Sequence, residues 1–207
     1  MKNRTFYLAA SCLFSGLAFA EPPADDGRIE RAQFVRSLLK PGDVGAEIGV
    51  LAGVFAYHVL LPEDPLKLYL IDPWKYGLQK DMEIVITDEA QKGRDAFYEN
   101  VRDTFSTYPN VEIIRKKSED AVHLFADNYF DYVYIDGEHS YNAVWRDLTN
   151  YFPKLKVGGR IIGDDYGWAG IREAVDEFVR IHAEELEWGE DPYLGRTGGQ
   201  FVIRRIK

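Results

Sequence analysis

The apolar residues of this 207-residue chain alternate between two spacings from residue 25 onward. Apolar positions at helical spacing mark six segments, and short extended apolar runs lie between them. Helices that alternate with buried strands are typical of a parallel sheet with crossover helices on both faces. The predicted strands are 44–48, 66–71, 111–114, 130–135, 160–163, 186–188 and 200–206. The predicted helices are 29–39, 54–61, 88–105, 119–126, 141–155 and 171–181.

The last two predicted strands are separated by the turn-rich segment 189–199, which indicates an antiparallel hairpin. The other strands are followed by helices, which indicates parallel pairing. We therefore predict one α/β domain built on a doubly wound sheet. It should have seven strands, mostly parallel, with an antiparallel last strand.

The first twenty residues differ from the rest of the chain. Lys2 and Arg4 precede the apolar run 6–20, which ends in Ala-Phe-Ala. This pattern predicts a secretory signal at residues 1–20 that is cleaved after Ala20, leaving a domain at 21–207. The run is shorter than the roughly 20 residues of a membrane span. Cleavage predicts an exported protein, periplasmic or secreted; an uncleaved segment would leave it cytoplasmic or membrane-anchored.

Composition narrows the kinds of partner. The chain has 46% hydrophobic and 14% aromatic residues, as globular domains do. Its only cysteine, Cys12, lies in the predicted signal, so a mature chain has no disulfide or cysteine zinc site. The formal net charge of −9 disfavours a nucleic acid partner, because a phosphate backbone would be repelled on average. A small-molecule substrate is the expected partner.

A glycine-containing junction follows the first predicted strand. Glu47, Gly49 and Gly53 form the pattern ExGxxxG, and Asp72 ends the second strand. A carboxylate at that place can accept the hydroxyls of a ribose. The alternative is that the glycines only turn the chain and allow close packing. The pattern is not GxGxxG, which disfavours a dinucleotide such as NAD and favours a nucleoside without phosphates.

Three later motifs make the pattern more specific: YVYIDGEHSY at 132–141, Gly-Gly at 158–159 and GDDY at 163–166. With these motifs the chain resembles the class I S-adenosylmethionine-dependent methyltransferases, in the subfamily with DGxHSY and DDY segments. It is similar, more distantly, to the macrocin O-methyltransferase group, which acts on sugar hydroxyls. The resemblance covers about residues 43–180. It implies a Rossmann-like fold and S-adenosylmethionine as the cofactor.

The resemblance also implies which residues contact the cofactor. They lie at or after the ends of the first four strands and are Glu47, Gly49, Gly53, Asp72, Trp74, Ser118 and Asp136. Ser118 and Glu119 fall where relatives contact adenine, and Trp74 could stack on the ring or cover it. The alternatives are that Ser118 caps a helix and that Trp74 is a packed core aromatic.

In the macrocin-like relatives the matching positions Asp136, Asp164 and Asp165 bind a divalent cation. Carboxylates at the ends of adjacent strands converge, and hard oxygen ligands suit Mg²⁺. The alternative is that Asp164 or Asp165 caps the following loop while Asp136 contacts cofactor or substrate.

Glu138 and His139 are the candidate catalytic bases. His139 has the more suitable intrinsic pKa near neutrality, but it could instead cap the next helix. Glu138 lies where the macrocin-like relatives carry an acidic base. Tyr166 and Trp168, after the fifth predicted strand, are candidate walls of a substrate pocket.

These patterns together predict transfer of a methyl group from S-adenosylmethionine to a small molecule, at a hydroxyl oxygen rather than a nitrogen. One alternative is a non-catalytic nucleoside- or metal-binding protein on the same fold, which export would favour because the cofactor is made in the cytosol. The other alternative is an NAD-dependent oxidoreductase, which the glycine pattern disfavours.

Overall fold

The computed structural model describes residues 27–60, 66–75, 88–190 and 199–207. The helices in these ranges are α1 (Arg28–Ser37), α2 (Val54–Val59), α3 (Asp88–Phe105), α4 (Ser118–Ala121), α5 (Tyr141–Tyr151) and α6 (Ala169–Ile181). The strands are β1 (Val44–Ile48), β2 (Lys67–Ile71), β3 (Val111–Ile114), β4 (Phe130–Ile135), β5 (Leu155–Gly163), β6 (Leu186–Glu190) and β7 (Phe201–Arg205). None of these helices is long and apolar enough to cross a membrane. The predicted signal lies outside the described residues.

The strands form one seven-stranded sheet in the order β3-β2-β1-β4-β5-β7-β6. Strands β1 to β5 pair in parallel, and β7 is antiparallel to both of its neighbours. This confirms the predicted doubly wound sheet with its antiparallel last strand and hairpin. The chain runs outward from β1 to β3 and then returns to β4, so the topology switches between β1 and β4. Such a switch opens a crevice at the carboxyl ends of the strands, where ligands bind in this class of fold.

Both faces of the sheet are covered by helices. In β4, Tyr132 and Tyr134 pack on the side of α1, α2 and α3. Val133 and Ile135 point to the opposite face and pack with α4, α5 and α6. A parallel sheet buried on both sides has apolar residues at successive positions, as the run in β4 does.

The fifth strand is longer than the predicted 160–163, because residues 157–159, whose glycines are typical of a turn, belong to it. These residues lie inside β5, opposite a register shift in β4. A Cβ on Gly159 would lie 3.0 Å from the carbonyl oxygens of both Phe130 and Asp131. Glycine at this position therefore allows the two strands to approach closely. The sequence pattern does not distinguish this role from that of a turn residue.

The helix predicted at 141–155 is shorter in the structure. Its last turn is replaced by a 3₁₀ segment at Phe152–Lys154, which contains Pro153. Proline cannot donate the backbone hydrogen bond that an α-helix needs at this position. The early end of α5 allows the chain to enter β5 at Leu155.

Candidate functional site

A cleft of about 630 Å³ opens at the carboxyl ends of β1, β2, β4 and β5. Most of the predicted site residues line it: Glu47, Gly49, Asp72, Asp136, Glu138, His139, Asp164 and Asp165. The predicted cofactor contacts Gly53, Trp74 and Ser118 do not line it, and neither do Glu119, Tyr166 and Trp168. Four cationic residues that the sequence did not indicate also line it: Arg28, Arg31, Lys75 and Arg94.

Strand register brings the acidic residues together. Ile48, the last residue of β1, pairs with Ile71 of β2 and with Ile135 of β4. Ile135 in turn pairs with Gly163 at the end of β5. The residues that follow these positions therefore lie next to one another at the same edge of the sheet. These are Gly49, Asp72, Asp136 and Asp164.

Gly49 allows the loops after β1 and β4 to approach each other. Its φ is +89°, and a Cβ at this position would lie 2.1 Å from the carbonyl oxygen of Asp136. Gly53 has a different role at the start of α2. A Cβ there would lie 3.0 Å from Val101 and 3.1 Å from Phe105, so this glycine permits packing of α3.

Asp72 orders the glycine loop. One of its carboxylate oxygens accepts hydrogen bonds from the backbone N–H groups of Val50 and Leu51, each at 3.0 Å. The other accepts from the N–H of Trp74 at 2.6 Å. A carboxylate offers about four acceptor positions, so capacity for one further donor remains. Asp72 lines the cleft with 8% of its surface exposed, so that donor can come from a ligand.

Trp74 and Ser118 are occupied by contacts within the protein. The Trp74 ring is fully buried, donates from Nε1 to the carbonyl oxygen of Leu51 at 2.8 Å and packs on Tyr98. Its place corresponds to the packed-aromatic alternative. Ser118 is the first residue of α4, and its hydroxyl donates to Asp147 at 2.5 Å. Direct contacts of these two residues with a cofactor stay predictions.

Glu47 is the most deeply buried carboxyl of the cleft, with 2% of its surface exposed. Burial raises its pKa well above the usual value, and the charges of Asp136 and Asp72 act in the same direction. The positive charge of Arg28 opposes this rise. The Oε2 atom of Glu47 has no hydrogen-bond partner among the described residues. A cationic ligand group beside Glu47 would stabilise its ionised form.

Asp136, His139 and Asp165 form an open group at the end of the cleft. The imidazole Nε2 lies 3.5 Å from Asp136, and Nδ1 lies 3.4 Å from Asp165. One donor atom from each residue lies within 4.8 Å of the others, an arrangement that could hold a metal ion. The hydrogen bond to Asp136 raises the pKa of His139 against the effect of partial burial, and the charge of Asp165 adds to the rise.

Asp164, which was predicted to bind a divalent cation, contacts an arginine side chain in the structure. Its Oδ2 lies 3.0 Å from Nε of Arg31 in α1, and it does not belong to the group around His139. Burial raises the pKa of Asp164 to about 7, and the nearby Asp136 acts in the same direction, while Arg31 opposes them. Its place as a metal ligand stays a prediction. In this arrangement Arg31 supplies the positive charge beside it.

The two candidate bases differ in how they are held. Ser140, not His139, caps α5, because its hydroxyl accepts the backbone N–H of Ala143. The same hydroxyl donates to Glu138 at 2.8 Å. Glu138 is therefore held on the cleft wall through one of its two oxygens, whereas both nitrogens of His139 face carboxylates.

The two aromatic residues after β5 also differ. Tyr166 is buried, donates to Asp176 at 2.6 Å and packs against Trp188. Trp168 is 56% exposed, and its ring meets the His139 ring edge-on with centroids 5.5 Å apart. Of this pair, only Trp168 has the exposure that a substrate wall needs.

The cationic residues of the cleft come from outside the strand ends. Arg28 and Arg31 are three positions apart in α1, so they lie on one face of that helix. Lys75 follows β2, and Arg94 belongs to α3. The spacing in α1 was the one sequence signal for any of them. It did not indicate which part of the molecule that helix would cover.

A family model described as a methyltransferase domain matches residues 46–166, from Ala46 in β1 to Tyr166 after β5. No curated protein matches the chain. The matched segment contains the glycine loop, the acidic strand ends and both candidate bases. Helix α1 lies before it.

Several solved structures share the fold. An rRNA methylase from Streptococcus thermophilus has 14% identity and a TM-score of 0.56, with 86% of this chain and 95% of that chain covered. The O-methyltransferase NovP has 19% identity and a TM-score of 0.54, with coverage of 88% and 79%. The 1,6-didemethyltoxoflavin-N1-methyltransferase of Burkholderia thailandensis, solved with S-adenosylhomocysteine, has 13% identity and a TM-score of 0.55, with coverage of 88% and 80%.

Proposed function

This chain belongs to the methyltransferase domain family, and we propose that it transfers the methyl group of S-adenosylmethionine to a hydroxyl oxygen of a small molecule. The observation that carries the proposal is the convergence of Glu47, Gly49 and Asp72 on one cleft at the switch point of the sheet. Its volume of about 630 Å³ lies in the range of small-ligand pockets. The bound S-adenosylhomocysteine in the Burkholderia relative supports this cofactor.

Asp72 would bind the ribose of the cofactor while it orders the glycine loop. Three backbone N–H groups already bond to its carboxylate, and one further acceptor position suffices for a ribose hydroxyl. These fixed bonds hold the carboxylate in one orientation before ligand arrives, which lowers the entropic cost of binding. Loss of Asp72 should therefore weaken cofactor binding in two ways.

The proposed reaction is an in-line displacement. The acceptor oxygen forms a bond to the methyl carbon, the carbon–sulfur bond breaks, and sulfur keeps the electron pair as S-adenosylhomocysteine. The hydroxyl proton passes to a base. Glu138 suits this role because Ser140 holds one of its oxygens and Glu138 lines the cleft. His139 could act as a base only after one ring nitrogen leaves its carboxylate neighbour.

A divalent cation is part of the proposal. Asp136, His139 and Asp165 offer donor atoms within 4.8 Å of one another, which fits a shared ion. Asp164 could join them only by leaving Arg31. An imidazole ligand suits Mn²⁺ and later transition metals better than Mg²⁺, which prefers oxygen ligands. When bound, the cation would hold the acceptor hydroxyl and lower its pKa.

A small acceptor fits the charge of the protein better than a nucleic acid. The formal net charge is −9, and carboxyl groups outnumber cationic side chains in the cleft. NovP, an O-methyltransferase, supports oxygen as the acceptor atom, although the rRNA methylase shares the same fold. Exposed Trp168 beside His139 offers an apolar surface for the acceptor.

Export of the mature domain is also proposed, from the signal pattern at residues 1–20. S-adenosylmethionine is made in the cytosol. An exported methyltransferase would therefore need a supply of the cofactor outside the cytosol. N-terminal sequencing of the protein from fractionated cells tests this proposal. A periplasmic or secreted chain beginning at Glu21 would support it, and an intact Met1 in the cytoplasmic fraction would contradict it.

Isothermal titration of the purified chain with S-adenosylhomocysteine tests the cofactor assignment, with NAD as the comparison ligand. Titrations in EDTA, Mg²⁺ and Mn²⁺ separate cofactor binding from any dependence on metal. We expect micromolar binding of S-adenosylhomocysteine, none of NAD, and weaker binding after Asp72→Ala. Binding of NAD alone would favour an oxidoreductase and would refute the proposal.

Methyl transfer itself needs a separate test. Methyl release from S-adenosylmethionine labelled in the methyl group is measured with a panel of hydroxylated small molecules. Glu138→Gln should lose most turnover and keep the affinity for S-adenosylhomocysteine. A protein that binds the cofactor product and transfers methyl to no acceptor would instead fit a non-catalytic nucleoside-binding protein.

A further inference from the structure

The two aspartates that follow β5 have different partners. Asp164 pairs with Arg31 of α1, whereas Asp165 lies 3.4 Å from the Nδ1 atom of His139. The backbone at Asp165 is left-handed, with a φ of +57°, a conformation that aspartate adopts more readily than most residues. Its carbonyl oxygen accepts the N–H of Trp168 at 2.8 Å, which closes a turn. The two carboxylates, although adjacent in sequence, therefore belong to two different groups.

The pair of Arg31 and Asp164 is held in place by the packing of α1. Ala32 and Val35 of this helix are fully buried in the cluster that also contains Phe55 of α2. The paired side chains are only 13% and 4% exposed, and their nearest charged atoms are 3.0 Å apart. Loss of one partner would leave the other charge buried without compensation, which is costly. The pair is therefore a fixed part of the cleft.

Asp164 lies beside the group that offers donor atoms for a cation, but it is not a member of that group. The members are Asp136, His139 and Asp165. Asp136 and Asp164 follow the last residues of β4 and β5, which pair in register, so their backbones are neighbours. The Oδ1 atom of Asp164 is buried and has no hydrogen-bond partner among the described residues. Asp164 thus has an oxygen to offer to a cation, but Arg31 holds its carboxylate.

We propose that Arg31 determines which cation this site accepts, because it holds Asp164 away from the coordinating group. The inference rests on the cation of the proposed function. Without Asp164, the site has two carboxylates and the imidazole of His139, a set that suits Mn²⁺ better than Mg²⁺. With Asp164, three carboxylates would form an all-oxygen set, which suits Mg²⁺. Arg31 therefore selects Mn²⁺ over Mg²⁺.

Metal titration calorimetry of the full chain, freed of metal with EDTA and then dialysed, tests this inference. Affinities for Mn²⁺ and for Mg²⁺ are measured in the wild type, in Arg31→Gln and in the double variant Arg31→Gln/Asp164→Asn. Arg28→Gln is the matched control, because Arg28 lies three residues earlier in the same helix and lines the same cleft. It loses the same charge and leaves the pair of Arg31 and Asp164 intact.

The wild type should bind Mn²⁺ more tightly than Mg²⁺. In Arg31→Gln this preference should fall at least about tenfold, because the released Asp164 becomes an additional oxygen ligand for Mg²⁺. Arg28→Gln should change both affinities by the same factor, since the two ions carry equal charge. The double variant keeps the net charge and leaves no buried charge unpaired. It should therefore fold and keep the Mn²⁺ affinity of the wild type within about threefold.

Loss of Mn²⁺ binding in the double variant would overturn the inference, because Asp164 would then be a ligand in the wild type. An unchanged preference in Arg31→Gln, or an equal fall in Arg28→Gln, would also overturn it. If Arg31→Gln does not fold, the double variant decides alone. A wild type that binds no Mn²⁺ would refute both the inference and the proposed cation. Titration of the same samples with S-adenosylhomocysteine then decides separately whether the proposed cofactor stands.

Discussion

Asp147 should make the stability of this protein depend on pH, because its carboxyl group is buried. It lies in α5 with 3% of its surface exposed, and its carboxyl accepts the Ser118 hydroxyl at 2.5 Å. Burial raises its pKa from 3.8 to about 6, against the opposing effects of the Ser118 hydrogen bond and of Arg146. The folded protein therefore holds the proton on Asp147 more tightly than the unfolded chain does.

The size of the effect follows from this shift. A difference of about two pKa units corresponds to about 3 kcal/mol of unfolding free energy. The destabilisation is absent below about pH 4, grows as the pH rises to about 6, and is constant above that. Asp147→Asn removes the ionisable group and keeps an oxygen that can accept from Ser118. The variant should gain about 3 kcal/mol relative to wild type between pH 3 and pH 7.

Urea denaturation of both proteins at a series of pH values measures this gain. The new amide hydrogens of the asparagine need partners, and a missing partner costs about 1–3 kcal/mol at every pH. The test is therefore how the difference in unfolding free energy between the two proteins changes with pH. The size of that difference at any one pH is not the test. In thermal unfolding the same change amounts to about 6–12 °C.

Asp120→Asn provides the control for Asp147→Asn, because Asp120 is an exposed aspartate of the neighbouring helix α4. This variant should differ from wild type by less than about 0.5 kcal/mol at every pH. A difference between wild type and Asp147→Asn that is the same at pH 3 and pH 7 would refute the reasoning. It would mean that the Asp147 carboxyl is hydrated in the folded protein.

Three further changes test the site. Gly49→Ala should destabilise the fold by at least about 2 kcal/mol and abolish cofactor binding, because its Cβ would strike the carbonyl oxygen of Asp136; normal urea stability would contradict this. Tyr166→Phe should cost about 1 kcal/mol in the same assay, with cofactor affinity unchanged, because it removes the hydroxyl that donates to Asp176; a loss of affinity would make Tyr166 part of the pocket. His139→Ala should weaken Mn²⁺ binding at least about tenfold in a metal titration, and equal affinity would remove it from the cation site.

The sheet was predictable because its signals are local. Apolar runs mark the strands, and the segments between them have helical spacing, so the order of elements determines a doubly wound sheet. The errors fall where one residue type serves two structures. Gly159 reads as a turn residue, but it lies in β5 because neighbouring carbonyl oxygens leave no room for a Cβ.

The site was predictable only at the strand ends. Glu47 lies near the end of β1, and Asp72 and Asp136 follow the two strands that pair with β1 in register, so the topology alone brings the three to one cleft. The sequence does not indicate which buried side chains pair with one another. Arg31 and Asp164 are far apart in the chain and meet only because α1 packs on α2. Contacts of this kind depend on tertiary packing, which the spacing of residues does not determine.

The charged side chains of the cleft affect which steps of the proposed reaction the protein can favour. Six carboxyl groups and four cationic side chains are among the described residues that line it. Carboxylates near the sulfur would favour the positively charged sulfonium of S-adenosylmethionine over its neutral thioether product. This attraction is strongest in the ground state and fades as charge leaves the sulfur, so it aids binding and product release without accelerating methyl transfer. Acceleration must then come from alignment of the acceptor oxygen and removal of its proton, tasks that belong to the loop containing Glu138 and His139.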